Sequence, residues 1–136
     1  MNGPEAYWSP LCDLQSRLRL WVRLAWREGD ATEAWPWGML LIIPVNGYLE
    51  AGGGPLPFRD IEWVQVSTKR IKGGLAERPL EIIDIKDEIL AGLRETHLQW
   101  ELRDTTWSMD SLFHDEPVQL FHFVNPFGTP PRPQPE

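Results

Sequence analysis

The clearest pattern along the chain has a period of two. In "SRLRLWVRLAWRE", residues 16–28, Leu18, Leu20, Val22, Leu24 and Trp26 alternate with Arg17, Arg19, Trp21, Arg23, Ala25 and Arg27. Such alternation predicts a strand with one buried face. On a helix, Leu20 and Leu24 would flank the direction of Arg17. Leu18, Val22 and Trp26 would point away from them, so no single apolar stripe forms. The stretch therefore reads as a strand with its leucines inward and its arginines outward. Leu11, Leu14 and Leu18 keep helical spacing and predict a short helical turn before it.

Next comes "EGDATEAWPW", a turn-rich connector carrying Gly29-Asp30 and Pro36. The apolar run from Gly38 to Ile43 predicts a buried strand ending at Pro44. Asn46-Gly47 is a strong hairpin signal, with Tyr48-Leu49-Glu50 starting the return. "AGGGPLP" reads as a flexible loop, and Gly52-Gly53-Gly54 as a connector. "RDIEWVQVST" resumes a strand, rich in β-branched and aromatic residues.

"KRIKGGLAERP" reads as a charged loop, and "LEII" as a short strand or the lead-in to a helix. Asp84 suits a helix N-cap, with Asp87 and Glu88 complementing the dipole in the first turn. Ile85, Ile89, Leu90 and Leu93 share a face, which predicts a helix over Ile85–Thr96, weakened by Gly92. "LQWELRD" alternates Leu98, Trp100 and Leu102 against Gln99, Glu101 and Arg103, the pattern of a half-buried strand. "TTWSMDSLFHDEP" is less regular. "VQLFHFV" is apolar on both faces apart from Gln119 and His122, which suits an interior strand.

These elements predict an α+β domain: a mainly antiparallel, twisted sheet of about five to seven strands packed on one main helix. The expected core is Leu20, Val22, Leu24, Leu41, Ile43, Trp63, Val64, Ile89, Leu93, Trp100, Leu102, Leu120 and Val124. The domain is expected over residues 1–127, followed by a Pro-rich extended or disordered tail over 128–136, because proline neither pairs in a sheet nor continues a helix.

Composition narrows the setting. With 136 residues, the chain suits one domain with its own core. It has no apolar run long enough to span a bilayer, so no membrane partner is expected. The start "MNGPEAYWSP" lacks the pattern of a secretory leader. Cys12 is the only cysteine, so no internal disulfide forms and a reducing cytoplasm is the expected location. The net charge of −7 resides in the second half. Residues 1–78 carry nine basic and nine acidic side chains, residues 79–136 four and eleven. An acidic chain repels phosphate backbones at long range, which argues against nucleic acid as a partner. Eight tryptophans is a high count for this length; they suit either a Trp-rich core or a binding surface.

Candidate chemistry is sparse. Arg19, Trp21 and Arg23 form a candidate binding or interface surface: solvated, paired with acidic neighbours, or facing a second subunit. Arg and Trp also suit single-stranded nucleic acid, the least favoured reading here. Lys69, Arg70 and Lys72, beside Gly73-Gly74, form a candidate anion-binding loop, although no Walker-type pattern is present. His114-Asp115-Glu116 with His122 matches no metal-ligand spacing, so no metal or cofactor is expected. No nucleophile elbow surrounds a serine, and Cys12 among apolar neighbours suits a small core residue. Asp104 with Asp110, or Asp84 with Asp87, could serve as acid–base pairs, but each sits where a cap or turn would use it. No catalytic residue is assigned.

"FRDIEWVQV", residues 58–66, followed by "IIDIKDEILAGLRETHLQWELRD", resembles a family of small uncharacterised bacterial proteins of the kind carried on mobile elements, such as integron gene cassettes. The resemblance implies a compact cytoplasmic α+β domain of accessory function. It carries no activity and no catalytic residues.

The leading expectation is a cytoplasmic binding or interaction protein, accessory in role, that self-associates through a sheet face or edge or binds a protein or small-molecule partner. The alternative is a small-molecule-binding protein or small enzyme with a Trp-lined pocket.

Overall fold

In the computed structural model, the described residues are 3–28, 31–34, 38–52, 54–72, 81–109 and 113–127. The Pro-rich segment 128–136, Gly29-Asp30, Trp35–Trp37, Gly53, Gly73-Gly74 and Asp110 lie outside them.

The chain opens with a helix, α1 (Gly3–Leu18), where only a short turn was expected. Its signal is longer than the leucine spacing alone: Trp8, Leu11, Leu14 and Gln15 are all buried along one stripe. Pro10 lies within the helix. The helix ends at Arg19, whose φ of 56° is left-handed. The Leu20 amide then bonds back to the Gln15 carbonyl at 3.2 Å, the wrap that closes many helix C-termini. Gln15 reinforces this end by donating Nε2 to the carbonyls of Leu20 (3.3 Å) and Met39 (2.9 Å).

The predicted first strand therefore starts later. Strand β1 (Val22–Glu28) retains the period-two pattern, with Leu20, Val22 and Leu24 fully buried. Arg17 and Leu18 belong to the helix, and Arg19 to its terminus. After β1 come β2 (Ala31–Ala34), β3 (Tyr48–Leu49), β4 (Leu56–Pro57), a 3₁₀ turn (Phe58–Asp60) and β5 (Ile61–Ser67). A hairpin of β6 (Lys69–Lys72) and β7 (Glu81–Asp84) leads into α2 (Lys86–Leu93), and β8 (Glu101–Met109) and β9 (Phe113–Val124) follow.

The main sheet has five strands in the order β2-β1-β5-β9-β8, with every pairing antiparallel. The architecture is α+β, as the pattern predicts. Among the described residues it carries two helices rather than one. Trp8, Leu11 and Leu14 of α1 join Ile89 and Leu93 of α2 in one cluster with Val22, Leu24, Val64, Val66, Phe121 and Phe123. Both helices thus cover the same face of the sheet. They meet closely at Gly92, where an added Cβ would lie 2.5 Å from Leu14 Cδ1. The glycine that weakens α2 locally is what lets α1 approach.

Segment 38–43 does not become a strand. Gly38 pairs with Val22 and Ile42 with Glu50, each as a single bridge. β2 occupies the free side of β1 from Ala25 to Glu28, so the incoming segment gains one contact there and turns away. Leu41 is buried, whereas Met39, Leu40 and Ile42 are exposed. Asn46-Gly47 does form a turn, with Gly47 at φ 92° and its amide bonded to Glu5 Oε1 at 2.7 Å.

"KRIKGGLAERP" and "LEII" also differ from expectation, because β6 and β7 pair as a hairpin. Thr68 makes the corner: its amide and hydroxyl both donate to the Gln119 carbonyl, at 3.1 and 2.8 Å, and its own carbonyl accepts from Ile85 N at 2.9 Å. Asp84 stands one residue before the N-cap, Ile85, and its Oδ1 accepts from the Lys86 amide at 2.9 Å. Trp100, Leu102 and Val124 of the expected core are exposed, at 37%, 37% and 59%. Ile43 and Trp63 are half-buried.

Candidate functional site on the outer face of the sheet

The helices cover one face of the sheet; the other carries its polar chemistry. Register places Arg23 of β1 opposite Gln65 of β5, Gln65 opposite His122 of β9, and His122 opposite Glu101 of β8. These four residues form one row across four strands. The period of two forces the arrangement, because Leu24, Val64 and Phe123 take the inward positions beside it.

The row is directional. Arg23 Nε donates to Gln65 Oε1 at 2.9 Å, and Gln65 Nε2 lies 3.0 Å from His122 Nδ1. A guanidinium only donates, so it fixes the Gln65 oxygen toward Arg23 and the amide NH₂ toward the histidine. Nδ1 must then accept, which puts the His122 proton on Nε2. Gln65 and His122 are both buried. Burial pushes the His122 pKa below its ordinary value; the Arg103 charge lowers it further, and Glu101 opposes this. The ring is therefore neutral at pH 7. Burial also lowers the Arg23 pKa, but a guanidinium stays charged at neutral pH.

Trp63 flanks this row on the same face. The Arg23 guanidinium lies 5.4 Å from its ring centroid, within cation–π range. Its ring centroid is 5.5 Å from that of His122. Beyond Trp63 stands the exposed Val124, its register partner. At the β8 margin, exposed Glu101 and Arg103 form an ion pair with each other.

Of the sequence candidates, Trp21 and Arg23 belong to this face. Trp21 precedes β1 but stays in register, its carbonyl accepting from Ser67 N at 3.0 Å. Arg19 does not join them, because its left-handed backbone breaks the extended run; it is exposed at the helix terminus. The anion-loop candidates are also separated. Lys69 pairs with Asp84 at 3.0 Å. Arg70, one residue on, faces the opposite side of the hairpin, the side of Ile83, which packs against the core. Lys72 pairs in register with Glu81, and its side chain lies outside the described residues. The three therefore do not converge.

Cys12 is half-buried, and its thiol is pushed up to about 12, chiefly by burial and further by Asp13. It is protonated at neutral pH, which argues against a nucleophilic role. Among the described residues, no group of three or more His, Cys, Asp or Glu side chains is placed to hold a metal ion. No helix among them is long and apolar enough to cross a membrane.

Asn125 gave no signal in the sequence reading. It is buried at the end of β9, where Nδ2 donates to the carbonyls of Phe58 (2.6 Å) and Ile61 (2.8 Å). Its Oδ1 accepts from Phe127 N at 3.1 Å. One side chain thus ties the 3₁₀ turn to the end of the interior strand. The Asn-Pro pair at 125–126 hints at a turn, but the carbonyl partners lie 67 and 64 residues earlier in the chain.

No family model matches the chain, and no solved structure matches it. A 77-residue stretch, 57% of the chain, is 34% identical to part of the Gag-Pol polyprotein of bovine immunodeficiency virus (strain R29). The chain spans 5% of that polyprotein's length.

Proposed function

We propose that this chain is a cytoplasmic binding or interaction protein of accessory function, that it self-associates, and that it presents the outer face of its sheet to partners. The observation that carries this reading is the Arg23–Gln65–His122 row with Trp63 beside it. A buried, directed polar chain next to a cation–π pair fixes side-chain positions on a rigid sheet. Preset donors and aromatic surface are what a recognition face needs, since ordering them on binding would cost affinity. Arg and Trp are also the residue types that dominate interface energetics. The protonated Cys12 thiol and the neutral His122, whose Nδ1 is already engaged by Gln65, favour binding over nucleophilic chemistry. The accessory role rests on the resemblance to mobile-element proteins, on which the Gag-Pol match does not bear.

Size-exclusion chromatography with light scattering tests the self-association. A dimer mass that falls toward the monomer on dilution is expected, and a monomer throughout the micromolar range removes that part of the reading.

A further inference from the structure

We infer that Asn46-Gly47 is a site of self-modification by deamidation, and that the Glu5 carboxylate holds the reaction back by keeping the proton on the Gly47 nitrogen.

An asparagine followed by a glycine carries its own reactants. The Gly47 nitrogen can attack Asn46 Cγ and close a five-membered imide. A C–N bond forms, the bond from Cγ to the side-chain nitrogen breaks, and that nitrogen leaves as ammonia with the proton taken from Gly47. Water then opens the imide at either carbonyl, leaving an aspartate or an isoaspartate. No oxidant or reductant enters. Glycine shields its nitrogen least, and a Cβ added at Gly47 would meet nothing within 4 Å. Asn46 is exposed, so water reaches the imide.

The surroundings act on the nucleophile, which attacks only after losing its proton. The Gly47 N–H donates to Glu5 Oε1 at 2.7 Å. This charge-assisted bond favours the protonated nitrogen, and the negative charge beside it opposes the anion that would attack. The turn is held elsewhere too. The Tyr48 amide donates to the Val45 carbonyl at 3.3 Å, and the Gly47 carbonyl accepts from the Phe58 amide at 3.1 Å. Glu5 belongs to the first turn of α1, 42 residues before Gly47. Asn46 is therefore guarded only while that turn is docked. Deamidation then sets a second carboxylate near Glu5, and like charges oppose the return of the contact. The site works as a one-way release of the helix start.

The test incubates the full chain at neutral pH, well below its melting temperature. Mass spectrometry of the peptide that holds Asn46 reads the conversion of amide to acid. Glu5→Ala is expected to speed the conversion about tenfold, the worth of one charge-assisted hydrogen bond. Glu5→Gln keeps an acceptor without the charge and is expected to speed it less. Tyr7→Phe removes the hydroxyl that accepts from the Gln99 amide at 3.0 Å. It loosens the same end of α1 with Glu5 in place, and is expected to convert at the wild-type rate. Circular dichroism verifies folding; if Glu5→Ala fails to fold, Glu5→Gln carries the test. Glu5 variants that convert at the wild-type rate, or more slowly, overturn the guard. A rise in Tyr7→Phe equal to that in Glu5→Ala assigns the protection to helix docking and overturns it as well. A wild type that keeps its Asn46 amide even when unfolded in urea overturns the site. Hydrogen exchange in the first turn of α1 is expected to quicken in Asn46→Asp, and an unchanged rate overturns the release.

Discussion

Arg23 Nε and Gln65 Oε1 stand 2.9 Å apart, and this contact sets the proton on a ring one strand further on. Because arginine donates, Gln65 must present its amide NH₂ to His122, and His122 must accept through Nδ1. The state of the imidazole is thus decided two strands away. The same chain implies that Gln65→Glu would place a carboxylate against Nδ1 and favour the protonated ring. Nitrogen-detected NMR should show the Nε2–H tautomer in the wild type, and a raised His122 pKa in Gln65→Glu.

His122 also makes stability depend on pH. Its folded pKa lies below the ordinary 6.5, so the unfolded chain takes up the proton first as pH falls. Its stabilising contribution is fully present above about pH 6.5 and is lost as pH drops through the folded value. Urea unfolding of the wild type between pH 8 and pH 5 should show this fall. His122→Asn, whose Oδ1 can take the accepting place of Nδ1, should lose that part of the slope. An unchanged slope would locate the pH dependence elsewhere.

Asn125 should be among the least replaceable polar residues. Asn125→Asp removes both Nδ2 donors and sets a buried carboxylate against the carbonyls of Phe58 and Ile61. A loss of about 2 kcal/mol or more is expected at neutral pH. A protonated carboxyl regains one donor, so the deficit should shrink as pH falls through the raised pKa of the new acid. Denaturant midpoints at neutral and acidic pH measure both effects.

Arg19 should tolerate, and prefer, glycine. Its φ of 56° is a left-handed conformation that glycine adopts without a Cβ clash. Arg19→Gly is expected to raise stability by about 1 kcal/mol or less, read as a higher melting temperature. Destabilisation would show that the arginine side chain contributes more than its backbone position costs.

How much of this was legible depended on how far apart the deciding residues lie. β1 was readable because alternation of Leu20, Val22 and Leu24 with Trp21 and Arg23 is a local property. The arginines before it carry the same alternation, but the buried stripe of Trp8, Leu11 and Leu14 and one left-handed residue end the helix there. Val124 is exposed because it takes the outer face beside Trp63, whereas Trp100 and Leu102 keep the inward period and are exposed for another reason. Period tells which face a residue takes; only strand order tells that β8 is an edge, and that order is set by pairing between distant segments. For the candidate site, Trp21 and Arg23 were legible as one face. Their partners Gln65 and His122 were not, because register joins them across the sheet. The basic group at Lys69, Arg70 and Lys72 looked convergent as a run of charge, and strand geometry separates it.

Gln65 and His122 are 57 residues apart in sequence, and the strands they sit on are neighbours. On a ribosome β1, β2 and β5 therefore emerge well before β9. Until it arrives, the backbone edge of β5 that pairs with β9 in the finished molecule, over Trp63–Ser67, has no strand to bond. The fold thus concentrates its risk of misassembly in the interval of synthesis between β5 and β9. That interval closes late, because β9, one of the interior strands of the sheet, is the last of its five strands in chain order.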